Sequence, residues 1–94
     1  MIVLQIEHKV PSYEGWKKAF DSDPIGRKKS NVISYRIYRP VADANYVIIE
    51  LEFNHLSEAE STLAALHILW GQVEGQVMFS PQTRILEKVE SIAY

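Results

Sequence analysis

The side chains most able to do chemistry here are three histidines and a pair of carboxylates. His8 closes a short alternating apolar segment just before a helix begins, which sets its imidazole over the space between a strand and that helix. There it serves either as a general base that also orients a substrate oxygen, or as a hydrogen-bonded ring closing the edge of the core. His67 stands three residues before Trp70 at the border of a helical apolar stripe, either as an axial ligand or acid/base group reachable from a pocket, or simply as a polar edge. His55 precedes that helix in a loop and is expected at the surface. The three share no metal-ligand spacing, so no zinc site and no other metal site is expected. Glu50 and Glu52 are i and i+2 on a strand and share one face, an arrangement that suits salt links with Arg36 better than acid/base work.

Rings and a thioether accompany these groups. Trp16, Trp70, Tyr35, Met78 and Phe79 either wall a cavity between a sheet and its helices or fill the core. The segment Gly71 to Pro81 carries two glycines, then Val77-Met78-Phe79 before proline, the composition of a hinged flap with an apolar underside. There is no glycine-rich phosphate loop, no nucleophile elbow and no dinucleotide fingerprint.

The elements that must position these side chains follow from periodicity. Ile2 to His8 alternates, with Ile2, Leu4, Ile6 and His8 on one face and Val3, Gln5 and Glu7 on the other. Pro11 stops this strand and Ser12 caps a helix over about Tyr13 to Ser22, whose Tyr13, Trp16 and Phe20 point one way while Glu14, Lys17, Lys18 and Asp21 face water. Asp23-Pro24 reads as a second cap with proline in the first turn of a short helical piece that Gly26 weakens. Val32 to Arg39 is a strand, and residues 40–45 are a turn too long for a two-residue hairpin. Tyr46 to Phe53 is the most β-prone segment. Ser57-Glu58-Ala59-Glu60 reads as a capping box for a helix reaching about Trp70, with Ala59, Leu63, Leu66 and Trp70 as its apolar stripe. Gly71 is expected to close that helix, and Gly71-Gln72-Val73 is echoed by Gly75-Gln76-Val77. Thr83 to Val89 is the last strand.

The order is β-α-β-β-α-β, the split βαβ of ferredoxin-like α+β folds, here as one domain over 1–94. It puts both helices on one face of a four-stranded antiparallel sheet. The expected helix side carries Ile2, Leu4, Ile6, Ile33, Tyr35, Ile37, Val47, Ile49, Leu51 and Phe53. The other face carries Val3, Tyr38, Ile48 and Leu86 beside Gln5, Glu7, Arg36, Glu50 and Glu52. Apolar groups there are each worth about 1.5–3 kcal/mol when buried, so a second copy of the chain is expected to cover them, with Arg36 paired to a third-strand carboxylate.

Bulk properties bound the partners. The chain has 94 residues, 47 % hydrophobic and 23 % charged, with a formal charge of −2, a balance that gives no reason to expect nucleic acid as a partner. Arg27-Lys28-Lys29 reads as a solvated basic loop. There is no cysteine, which removes disulfides, thiol nucleophiles and thiolate metal sites. No apolar run approaches the roughly 20 residues of a membrane span, and the first residues lack the basic region of a signal peptide, so a cytoplasmic location is expected.

The pattern His8-Lys9-Val10, Tyr13, Trp16-Lys17, Phe20-Asp21, with the tail from Pro81 to Glu90, resembles small members of the dimeric α+β barrel proteins. This is the ferredoxin-like group that includes the antibiotic-biosynthesis monooxygenase-like domains. The resemblance covers nearly the whole chain. It implies sheets paired into a homodimeric barrel and a pocket between sheet and helices for flat hydrophobic molecules. It also implies an oxygenase that needs no flavin or metal cofactor and acts on an aromatic or enolisable substrate. Under it, His8 is the base and Trp70 or Tyr35 the hydrogen-bond donor; Trp16 and Phe79 are walls, and His67 and Met78 contact substrate. The quinone-forming relatives use an Asn, Trp and Tyr set and the haem-degrading ones an Asn, Trp and His set, whereas the first strand here has no asparagine. The alternative is a non-catalytic homodimeric ligand-binding or assembly module, with haem binding or degradation as a minor reading.

Overall fold

The computed structural model describes residues 1–73 and 78–94. The Gly75-Gln76-Val77 echo and the middle of the flap expected over Gly71 to Pro81 fall on residues 74–77, outside the described residues, while the flap's two ends belong to a helix and a strand. Six elements run in the expected order: β1 (Ile2–Lys9), α1 (Tyr13–Asp21), β2 (Ser34–Tyr38), β3 (Tyr46–Phe53), α2 (Leu56–Val73) and β4 (Phe79–Glu87). The sheet order is β2-β3-β1-β4 with every neighbour antiparallel, a ferredoxin-like α+β fold.

β1 and β3 form the centre of the sheet because their alternation is strict. Leu4 and Ile6 from β1, and Val47, Ile49, Leu51 and Phe53 from β3, are all buried, and the register sets Leu4 opposite Leu51 and Ile6 opposite Ile49. Both helices cover this face, with Trp16 of α1 and Ala59, Leu66 and Trp70 of α2 in the same core. α1 begins where expected: Ser12 is extended, and its Oγ accepts the Gly15 amide at 3.2 Å. On the water-facing side of α1, Lys17 donates to Asp21 at 2.6 Å.

Several boundaries differ from the sequence reading, and β2 is shorter at both ends, Ser34–Tyr38 against Val32 to Arg39. The piece after α1 is not helical: Asp23, Gly26 and Asn31 all have φ in the left-handed region, at 53°, 69° and 71°, so the chain turns repeatedly instead of winding. α2 starts at Leu56, one residue before the expected capping box. His55 takes the cap position and Glu58 accepts its amide at 3.1 Å, the reciprocal half of a box shifted toward the N-terminus. Gly71 lies within α2, which continues to Val73, because no left-handed turn is imposed there. β4 starts at Phe79, earlier than Thr83, and runs through Pro81. Its pairing with β1 slips between Glu7 and Lys9, so that Glu7 faces Gln82 while Lys9 faces Phe79, and Ser80 has φ of 48°. This is a β-bulge on an edge strand, a position where a strand tolerates proline.

The opposite face is polar and internally paired. Arg36 Nε donates to Glu50 Oε1 at 3.1 Å, and Gln5 and Tyr38 reach the same carboxylate at 3.4 and 3.5 Å. Tyr46 donates to Glu7 at 2.8 Å. Glu52, buried on this face, is paired with Lys88 and accepts from Ser34 Oγ at 3.2 Å. Ile33 and Tyr35, expected to join the core from β2, are 48 % and 41 % exposed, because β2 is the sheet's short outer strand.

Candidate functional site

Between the sheet and the helices lies a cavity of about 280 Å³. Its floor is Ile6, Ile49 and Leu51 of the sheet, α1 gives Trp16 and Phe20, and α2 gives Leu66 and Trp70. The loop after α1 closes a further side with Pro24, Ile25 and Arg27, and Met78 borders it from the start of the last strand segment. The wall is overwhelmingly apolar, as expected for a small-molecule site, and the volume stands near the lower bound of the roughly 300–1,000 Å³ usual for such pockets.

His8 is the imidazole on this wall and is only 3 % exposed. It stands on β1 opposite the bulge of β4, where the strands part. Its Nδ1 lies 3.1 Å from the Lys9 carbonyl oxygen. A carbonyl only accepts, so Nδ1 carries the proton and the neutral ring keeps a lone pair on Nε2. Burial pushes the His8 pKa below its ordinary value of 6.5, against a smaller upward pull from the Lys9 carbonyl. The ring meets the edge of Trp16 at a centroid distance of 5.9 Å. The result is a neutral base held in one tautomer over an apolar space.

Of the residues singled out in the sequence, His8, Trp16, Trp70 and Met78 come together on this cavity. Three do not. His67 lies on the exposed side of α2, its ring edge to face with Trp70 at 5.6 Å. Tyr35 stands outside the cavity wall, packed edge-on against Phe20 at 5.1 Å and bordering a separate shallow groove. Phe79 is 39 % exposed and also absent from the wall. The loop residues Pro24 and Ile25 were given no part in a site, and Arg27, expected in a solvated basic loop, is instead half-buried on the wall because its guanidinium packs on Phe20. The Asp23-Pro24-Ile25-Gly26 stretch gave only a local signal, while their place on the wall comes from the loop folding back under α1. No three His, Cys, Asp or Glu side chains among the described residues converge as a metal site would require.

No known protein-family profile matches the chain, and no curated protein matches it. Solved structures do. A cofactor-independent oxygenase from Streptomyces nogalater, SnoaB, superposes with a TM-score of 0.78 at 6 % identity, over 99 % of this chain and 97 % of that one. An arginine-to-serine point mutant of MhuD, with two manganese protoporphyrin IX molecules bound per active site, gives 0.69 at 18 % identity over 100 % of both chains. A dimeric ferredoxin-like protein from an uncultured marine organism gives 0.66 at 12 % identity over 97 % of both. The chain thus has the ferredoxin-like fold shared by the antibiotic biosynthesis monooxygenase-like proteins. At these identities the likeness is one of fold.

Proposed function

We propose that this chain binds a small flat aromatic or enolisable molecule in the cavity between sheet and helices and oxygenates it without a cofactor, with His8 as the base. The observation that supports this most is the single-tautomer neutral imidazole of His8 on an otherwise apolar wall. The fold of a cofactor-independent oxygenase adds to it. The chemistry is balanced by dioxygen alone. His8 Nε2 takes a proton from an acidic CH₂ beside a conjugated carbonyl, and the carbanion passes an electron to O₂. The pair combines as a peroxide that regains the proton from the imidazolium. Loss of water then leaves a ketone, so R₂CH₂ and O₂ become R₂C=O and H₂O. Apolar walls favour the step by excluding water from the anion. Trp70, on the same wall, is the donor proposed to orient the substrate oxygen.

Porphyrin is a poorer match: His67 stands outside, and the space suits two or three fused rings. The chain is also proposed to act as a homodimer through the open sheet face, as the dimeric neighbour suggests. Oxygen uptake with anthrone tests the reaction: one O₂ consumed per anthraquinone formed is expected, falling by about 10²-fold or more in His8→Phe. Anthrone that binds without oxygen uptake would instead establish a non-catalytic ligand-binding module.

A further inference from the structure

We infer that Arg27 makes this cavity selective for aromatic molecules bearing a carboxylate or a similar oxyanion, an inference that deepens the small-molecule reading of the cavity and rests on it. Charge is nearly absent from the wall; Asp23 and Arg27 carry what there is. Arg27 belongs both to the cavity and to the shallow groove beside Tyr35, so its guanidinium stands where the apolar space meets solvent. A ligand there keeps its rings among Trp16 and Trp70 and its anionic end at the opening.

The guanidinium is held ready for that. It lies 4.0 Å over the Phe20 ring and 5.0 Å from that of Tyr35. Nη1 donates to the Phe20 carbonyl at 2.8 Å. These contacts fix the plane of the fork, and Nε and Nη2 have no hydrogen-bond partner among the described residues. A fixed planar cation with unused donors binds a carboxylate better than a mobile ammonium does. Asp23 offsets the charge without capping the fork: its Oδ1 accepts the Arg27 backbone amide at 2.9 Å and lies 3.5 Å from Nη1. The competing role for Arg27 is a staple that merely closes the loop.

Two near-isosteric probes separate these roles: 2-naphthoate and 2-acetylnaphthalene, read by quenching of Trp16 and Trp70, the two tryptophans of the chain, both on the cavity wall. The wild type is expected to prefer naphthoate by about tenfold. Arg27→Gln should erase the preference and leave the ketone's affinity unchanged, and Arg27→Lys should keep part of it. Asp23→Asn retains an oxygen for the Arg27 amide and removes the offsetting charge, so naphthoate should tighten several-fold and the ketone should not. Equal loss of both probes in Arg27→Gln, no discrimination by the wild type, or no tightening in Asp23→Asn would each overturn the inference while leaving a ligand cavity standing. Absence of quenching by either probe overturns the cavity reading and this inference together.

Discussion

The two faces of the sheet solve opposite problems with the same four strands. On the helix side, Leu4, Val47, Ile49, Leu51 and Phe53 give up water altogether, and the one titratable group among them, His8, stays neutral to do so. On the open side, Glu7, Glu50 and Glu52 each find a partner: Tyr46, Arg36 and Lys88. The first face derives its energy from transfer out of water, about 25 cal/mol per Å² of apolar area. The second derives little net energy from its pairs, because desolvation offsets most of the attraction. The contrast teaches that stability is concentrated under the helices, while the open side specifies geometry through its paired polar groups.

Breaking the helix face should cost most. Phe53→Ala empties a fully enclosed site and is expected to lower stability by about 3–5 kcal/mol in urea unfolding at fixed protein concentration. A loss below about 1 kcal/mol would mean that this face is not the core. On the open side Lys88→Met should cost less, about 1–3 kcal/mol, since it strips the main partner from the buried Glu52 carboxylate and leaves only Ser34.

Acid should separate the faces by where each begins to weaken. The His8 pKa is lowered from 6.5 by burial, so the folded state binds fewer protons than the unfolded one just below that value, and stability falls as pH drops through 6.5. The Glu52 carboxyl is held below its ordinary 4.5 chiefly by the Lys88 hydrogen bond, so its contribution is intact above 4.5 and is lost only on further acidification. His8→Phe should abolish the first decline and Glu52→Gln the second, in unfolding curves collected from pH 8 to pH 3. If one substitution removed both declines, the faces would not be independent.

The smallest effect on folding is expected on the open side's apolar spots. Ile48→Asp, half-buried on β3, should change the stability of the chain by under about 1 kcal/mol yet halve the mass seen by light scattering, from a pair of 10.8 kDa chains to one. A wild type that already scatters as 10.8 kDa would remove the association role from this face.

How far this contrast could be read from residue order depends on the region. β1 and β3 were legible because strict alternation forces a single register once one face is apolar. α1 was legible from Pro11, Ser12 and the Tyr13, Trp16, Phe20 spacing. The loop after α1 was not, since Asp23 is an ordinary cap until its φ turns positive, and only the folded chain shows that it does. The start of α2 is ambiguous in the sequence because two overlapping boxes are available, Ser57 with Glu60 and His55 with Glu58, and the sheet's exit at Phe53 decides for the second. For the candidate site, His8, Trp16 and Trp70 lie on elements whose faces periodicity dictates, while Met78 was read only from the apolar composition around it. His67 sits one residue past Leu66, and that single helical step of about 100° carried it out of reach. Arg27 stands in a basic triplet that reads as a solvated loop, and nothing local distinguishes it from Lys28 and Lys29.

The bulge in β4 has a consequence for aggregation. A sheet with free edges templates its own extension, chain upon chain, into fibres. Here one outer strand, β2, is only five residues long, and the other, β4, is bulged near its start, with Ser80 in a left-handed conformation and Pro81 without an amide hydrogen to offer. Neither rim presents a long regular row of donors and acceptors. Growth by edge pairing is therefore disfavoured at both ends of the sheet.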